Sequence, residues 1–121
     1  EIAFNVSKIY TRIRSNTSSG IFTLYTTTIQ NDDTWRNLIF TYDKDTGVVN
    51  NYINGVFDAT TNYSGGDFSN MNISAIGAGG QSNTYGAFIG DTDEIYFFNK
   101  ALSASEALEV HTLGNNGFTL I

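Results

Sequence analysis

Apolar residues in this chain recur at every second position in short runs, and each run is cut off by Asn, Asp or Gly. That two-residue period is what a half-buried β-strand requires, and it leaves little room for helices. Leu38, Phe40 and Tyr42 share one face of the clearest run, which begins at Trp35. After the turn formers Asp43 to Gly47, a second run from Val48 to Ile53 reaches Asn54-Gly55. Asn and Gly both tolerate positive φ, so this dipeptide predicts a tight hairpin that returns the chain through Val56 to Thr60.

Upstream, apolar residues shift from even positions (Ile2, Phe4, Val6) to odd ones (Ile9, Ile13), which predicts two strands or one bent strand with a turn near Ser7 and Lys8. A polar turn over Ser15 to Gly20 leads to a strand over Ile21 to Ile29, with Phe22 and Leu24 on one face and Tyr25 on the other. Downstream, a short strand is expected over Ile73 to Ile76 and a loop over Gly77 to Thr84. A longer strand system over Tyr85 to Asn99, bent near Gly90, is expected next, and a last strand over Phe118 to Ile121. One helix is signalled: Ser103-Ala104-Ser105-Glu106 is a capping box, so a helix should run from about Ala104 to His111 or Leu113 and stop at Gly114. Eight or nine short strands with one late helix predict an all-β, two-sheet antiparallel sandwich rather than an α/β fold.

With 121 residues, the chain is sized for one domain. There is no Cys, so packing and hydrogen bonds must hold the fold. Twelve Asp and Glu against six Lys and Arg give a net charge of −6, which argues against a nucleic-acid surface. Only 15% of residues are charged, and the abundance of Asn, Thr, Ser and Gly suits an exported or particle-surface β protein. No apolar run approaches the length of a membrane span.

From Trp35-Arg36-Asn37-Leu38-Ile39-Phe40-Thr41-Tyr42-Asp43, through a Gly turn to Tyr52-Ile53-Asn54-Gly55, the chain resembles the laminin-G-like branch of the concanavalin A-like lectin/glucanase superfamily. Ile76-Gly77, Phe88-Ile89-Gly90, Asp93 to Asn99, and Ala101-Leu102-Ser103 with Glu106 follow in the same order. The resemblance implies a jelly-roll sandwich of two curved sheets that binds glycans or protein partners, in some members with calcium. Family members carry further N-terminal strands. This chain is accordingly read as a single domain over 1–121 that is an N-terminally incomplete fragment, a reduced variant, or a unit whose sheet edge a neighbouring chain completes. Asn51, on the face of Val49 and Ile53, and Thr92 stand where apolar residues are expected, so each needs a polar partner.

Asp91, Asp93 and Glu94 are the densest carboxylate group, but they lack the Glu-x-Asp-x-x-Glu signature of the family's glucanases, so no enzyme is predicted. Alternation puts Asp93 beside Ile95 and Phe97, which predicts a buried Asp accepting loop amides or the Trp35 indole. His111, near the helix end, has a dipole reason to be there and no nucleophile partner motif. For calcium, Asp32-Asp33, Asp43-Asp45, Asp67 and Asp91 are candidates, though all are ordinary turn formers. Four Asn-x-Ser/Thr sequons, at Asn5, Asn16, Asn62 and Asn72, carry no weight in so Asn-rich a chain.

Sugar binding calls for an exposed aromatic face with amide and carboxylate oxygens nearby. Tyr63 and Tyr85, which flank polar loops, together with Asn83 and with Tyr52 on the non-core face of its strand, are the expected ligand contacts. The leading expectation is therefore a non-catalytic carbohydrate-binding or adhesion module of an extracellular or surface protein. The alternative is a structural or decoration component of a phage or virion surface assembly.

Overall fold

The computed structural model of the protein describes residues 2–5, 8–14, 21–28, 32–63 and 90–116. Over them the chain is mostly antiparallel strands with one helix. The strands are β1 (Ile2–Asn5), β2 (Lys8–Arg14), β3 (Ile21–Tyr25), β4 (Leu38–Tyr42), β5 (Val48–Ile53) and β6 (Val56–Asn62), and the helix is α1 (Ala104–Asn115). They form two three-stranded sheets, ordered β1-β2-β3 and β4-β5-β6. The strands expected over Ile73–Ile76 and Phe118–Ile121, and the segment from Tyr85 to Ile89, lie outside the described residues.

Turn chemistry sets the second sheet. At the β4–β5 turn the Asp43 carboxylate accepts from the amides of Asp45 (2.9 Å) and Thr46 (3.3 Å). Gly47, at φ 74°, returns its amide to the Asp43 carbonyl at 2.8 Å. These amides hold the Asp43 carboxyl below its ordinary pKa, with the Asp45 amide the largest cause. A side chain at Gly47 would meet the Tyr63 carbonyl carbon and oxygen, the nearer at 2.3 Å, so the close pass of β6's end depends on glycine there. At the next turn Asn54 (φ 52°) and Gly55 (φ 75°) both adopt the left-handed region, as a two-residue hairpin of this hand demands.

β6 carries one irregularity. Asn51 pairs with Ala59 but Tyr52 pairs with Phe57, so Asp58 is the extra residue of a β-bulge. Its carboxylate is thereby aimed at the end of β3, where it accepts from the Thr27 amide at 3.1 Å and from the Thr27 hydroxyl at 2.5 Å. Lys8 donates to the Thr27 carbonyl at 3.0 Å from the neighbouring strand. The first sheet is thus fastened to β6 by polar groups at its rim.

Apolar contact completes the link. Leu24 on β3, Val49 on β5 and Tyr63 just past β6 form one buried cluster, against which Phe40, Tyr42 and Ala59 pack. Val49 is fully enclosed and contributes about 1.5–3 kcal/mol by leaving water. As the alternation predicts, Leu24 is buried while Tyr25, its neighbour on the other face, is exposed. Asn51 shares the inner face with Phe40 and Ala59, its ladder partners, and finds the partner it needs: the Thr11 hydroxyl of β2 donates to its Oδ1 at 3.3 Å.

Helix α1 begins at the expected box. The Ser103 side chain accepts from the Glu106 amide at 3.3 Å, and Glu106 Oε2 accepts from the Ser103 amide at 2.8 Å. Lys100 pairs with the other carboxylate oxygen. The helix lies over the Asn54-Gly55 turn so closely that a side chain at Gly55 would come within 2.9 Å of the Leu108 Cα.

Three expectations are corrected here. Gly114 does not stop the helix. It stays helical, and Asn116 closes the end with its amide on the carbonyls of Thr112 (3.2 Å) and Leu113 (3.1 Å), because a glycine ends a helix only where it turns left-handed. His111 consequently lies inside the helix and not in its last turn. Residues 90–99 form no strand: Glu94 sits at φ 50°, which breaks the alternation, and Asp93, Ile95 and Phe97 are exposed. Alternating letters describe an extended chain equally well, and only a ladder partner makes it a strand.

Candidate functional site

Of the four residues expected to contact ligand, two are buried. Tyr52 is only 4% exposed, and its ring stands edge-on to Phe57 with centroids 6.0 Å apart. Tyr63, 7% exposed, belongs to the core cluster and meets Tyr42 edge-on at 6.3 Å. Burial raises the Tyr42 phenol pKa. The expectation of exposed rings at these two positions is therefore corrected, since neither face is free to stack on a sugar. Asn83 and Tyr85 lie outside the described residues. A crevice beside Thr11 and Asn51, walled by Ile9, Thr26, Phe40 and Tyr52, has room for about one water and none for a pyranose ring.

The aromatic surface lies elsewhere. Trp35, expected to open a strand, is 66% exposed. Strand β4 starts three residues later because β5 ends at Ile53, the ladder partner of Leu38, before the chain turns at Asn54. Among the described residues no strand pairs with the chain before Leu38, and residues 32–37 are a loop. Its near end is pinned to the hairpin turn, where the Asn37 amide donates to Asn54 Oδ1 at 3.0 Å and the Asn54 amide to the Asn37 carbonyl at 2.9 Å.

Its far end is closed by charge. Arg36 places Nη1 at 2.5 Å from Asp32 Oδ1 and Nη2 at 2.6 Å from Oδ2, a fork-to-fork pair across one loop. The Thr34 hydroxyl donates to the Asp32 carbonyl at 3.2 Å, and Asp33 at φ 54° makes the bend. Arg36 holds the Asp32 carboxyl well below the usual carboxylate range, and the same bond raises the guanidinium pKa. Between Thr34 and Arg36, the Trp35 indole is presented on a loop braced at both ends. An exposed aromatic ring on a braced loop is a group that can stack on the apolar face of a flat ligand. Counting the β4–β5 register back from Asn54 was the available signal for Trp35; the strand-like letters around it masked that.

Neither Asp32 nor Asp43 is free for calcium. Asp32 gives both oxygens to Arg36, and Asp43 is engaged with its own turn. Among the described residues no three acidic or imidazole groups converge as metal ligands would. Asp91, Asp93 and Glu94 are all exposed. Among the same residues no helix is long and apolar enough to cross a membrane.

Among the described residues, antiparallel strands followed by one capped helix define a mostly-β class of protein, consistent with a jelly-roll superfamily. Residues 1–107 match the laminin G family model described as the concanavalin A-like lectin/glucanases superfamily, and the chain belongs to that family. Among solved structures it is similar to residues 221–444 of an S-layer domain-containing protein from Clostridium thermocellum, with a TM-score of 0.58 and 20% identity. That similarity covers 86% of this chain and 51% of the other, so the chain spans about half the length of that structure. Comparison with curated proteins gave no significant match.

Proposed function

We propose that this chain is a non-catalytic carbohydrate-binding module of an extracellular or surface protein, built on its family's jelly-roll sandwich, with Trp35 as its stacking platform. The observation that carries the reading is the exposure of that indole, 66%, on a loop braced by the Asp32–Arg36 fork and the Asn37–Asn54 bonds. Phe97 is as exposed as this ring, and singly exposed apolar side chains are ordinary; what sets Trp35 apart is the bracing of its loop, which suits a ring held in place for a ligand. Membership in a lectin-like superfamily and the low-charge, hydroxyl- and amide-rich composition support the same reading. Adhesion to a glycosylated surface would use the same face.

The chain has a single tryptophan, so its fluorescence reports on the site alone. Glycan-array screening followed by titration of any hit should shift the indole emission to shorter wavelength, and Trp35→Ala should abolish array binding while the fold survives. Array hits that the Trp35→Ala protein retains at full strength would remove this site from consideration.

A further inference from the structure

We infer that the glycan taken at the Trp35 face is uncharged, and that the Asp32–Arg36 fork is what makes it so. This inference rests on the carbohydrate-binding reading above and specifies its ligand class.

A basic side chain beside an aromatic platform would ordinarily attract a uronate or sulfate. Arg36 is the basic side chain beside this one, yet its fork is filled by the two Asp32 oxygens at 2.5 and 2.6 Å. Its side chain is 17% exposed against 53% for Asp32, so the carboxylate is the more open member of the pair. Nη1 also lies 3.5 Å from the Thr34 carbonyl. Asp33, next along the loop, is exposed and adds a second carboxylate. The loop from Asp32 to Arg36 thus holds two negative groups and one positive group, and an incoming anion meets a net negative field.

Elsewhere among the described residues basic side chains are few, and each has an acceptor beside it. Besides Arg36, the basic side chains described are Lys8, Lys44 and Lys100. Lys8 donates to the Thr27 carbonyl, Lys44 lies 3.5 Å from Asp45, and Lys100 is paired with Glu106. Net charge across the chain is −6, which repels an anionic polymer within about 10 Å at ordinary salt. Exposed ion pairs such as Asp32–Arg36 add little to stability, so the consequence of this one is electrostatic selection.

The test titrates the whole chain with neutral polysaccharides (glucan, mannan, galactan) and anionic ones (heparin, alginate, polygalacturonate), reading Trp35 emission. Neutral polymers should shift the emission, with a Kd that changes less than about twofold between roughly 0.05 and 0.5 M salt. Anionic polymers should leave it unchanged. Asp32→Asn, which releases the guanidinium, should gain salt-sensitive binding to the anionic set. Trp35-dependent binding of anionic polymers by the unaltered protein would overturn the inference while leaving the carbohydrate-binding reading intact. Silence from every polymer would overturn both, and an Asp32→Asn protein still indifferent to anions would refute the role given to the fork.

Discussion

Thr11 of β2 donates its hydroxyl to the Asn51 side-chain oxygen of β5 at 3.3 Å, and both residues are buried. This is a polar bond between two sheets, set among apolar neighbours. It explains how an amide can be buried beside Val49: the group costs little where a hydroxyl from the other sheet donates to it. Thr11→Val should destabilise the protein by about 1–3 kcal/mol, because the amide oxygen is left unbonded. Thr11→Val with Asn51→Leu should cost clearly less than the two single changes summed, in urea denaturation of all four proteins. Strict additivity would mean the bond does not couple the sheets.

Gly55 answers two demands at once, since φ is 75° and α1 passes where its side chain would be. Gly55→Ala should cost at least about 1–2 kcal/mol from the left-handed backbone alone. Contact at 2.9 Å with the Leu108 Cα cannot be relieved by a rotamer change, so the helix must shift. Thermal unfolding should show the loss, and amide shifts at Leu108 and His111 should report the displacement. A stability equal to that of the unaltered protein would show that the turn and helix are not in such contact.

The start of α1 should be acid-sensitive. Lys100 first, and then the Ser103 amide and hydroxyl, lower the Glu106 pKa from 4.5 to about 2. A carboxylate whose folded pKa is depressed stabilises the fold fully above its unfolded value and loses that contribution as pH falls through the folded one. Fraying of the first helical turn is therefore expected between pH 4.5 and about 2, followed by amide exchange at Glu106 and Ala107. Glu106→Gln should remove most of that dependence. Ser103→Ala, tested at neutral pH, should cost about 0.5–2 kcal/mol.

Tyr63 and Trp35 should respond in opposite ways to truncation. Tyr63→Ala opens the cluster around Leu24 and Val49 and should cost about 3–5 kcal/mol, visible as a lowered urea midpoint. Trp35→Ala removes an exposed ring and should change stability by no more than about 0.5 kcal/mol while abolishing glycan binding. A binding loss in both with no stability difference between them would contradict the burial of Tyr63.

Local chemistry was legible in the letters. The Asn54-Gly55 hairpin, the span of β5 and the Ser103–Glu106 box depend on side chains within a few residues of the backbone groups they satisfy. Each was readable for that reason, as was the alternation that buries Leu24 and exposes Tyr25. Family membership was legible too, carried by motifs in order from Trp35 to Glu106.

What only tertiary structure decided is which aromatic rings face water. Tyr63 looks like a loop-flanking surface residue, Tyr52 like the outer face of its strand, and Trp35 like the head of a core strand; the two tyrosines are buried and the tryptophan is exposed. Ring exposure depends on what lies across the sheet and where a partner strand ends, and neither is encoded in nearest neighbours. Gly114 shows the same limit, since a glycine stops a helix only if the following chain turns away. Short-range hydrogen bonding sets the elements of this protein, whereas the register between strands and the contact between sheets set its surface, and its surface is where function resides.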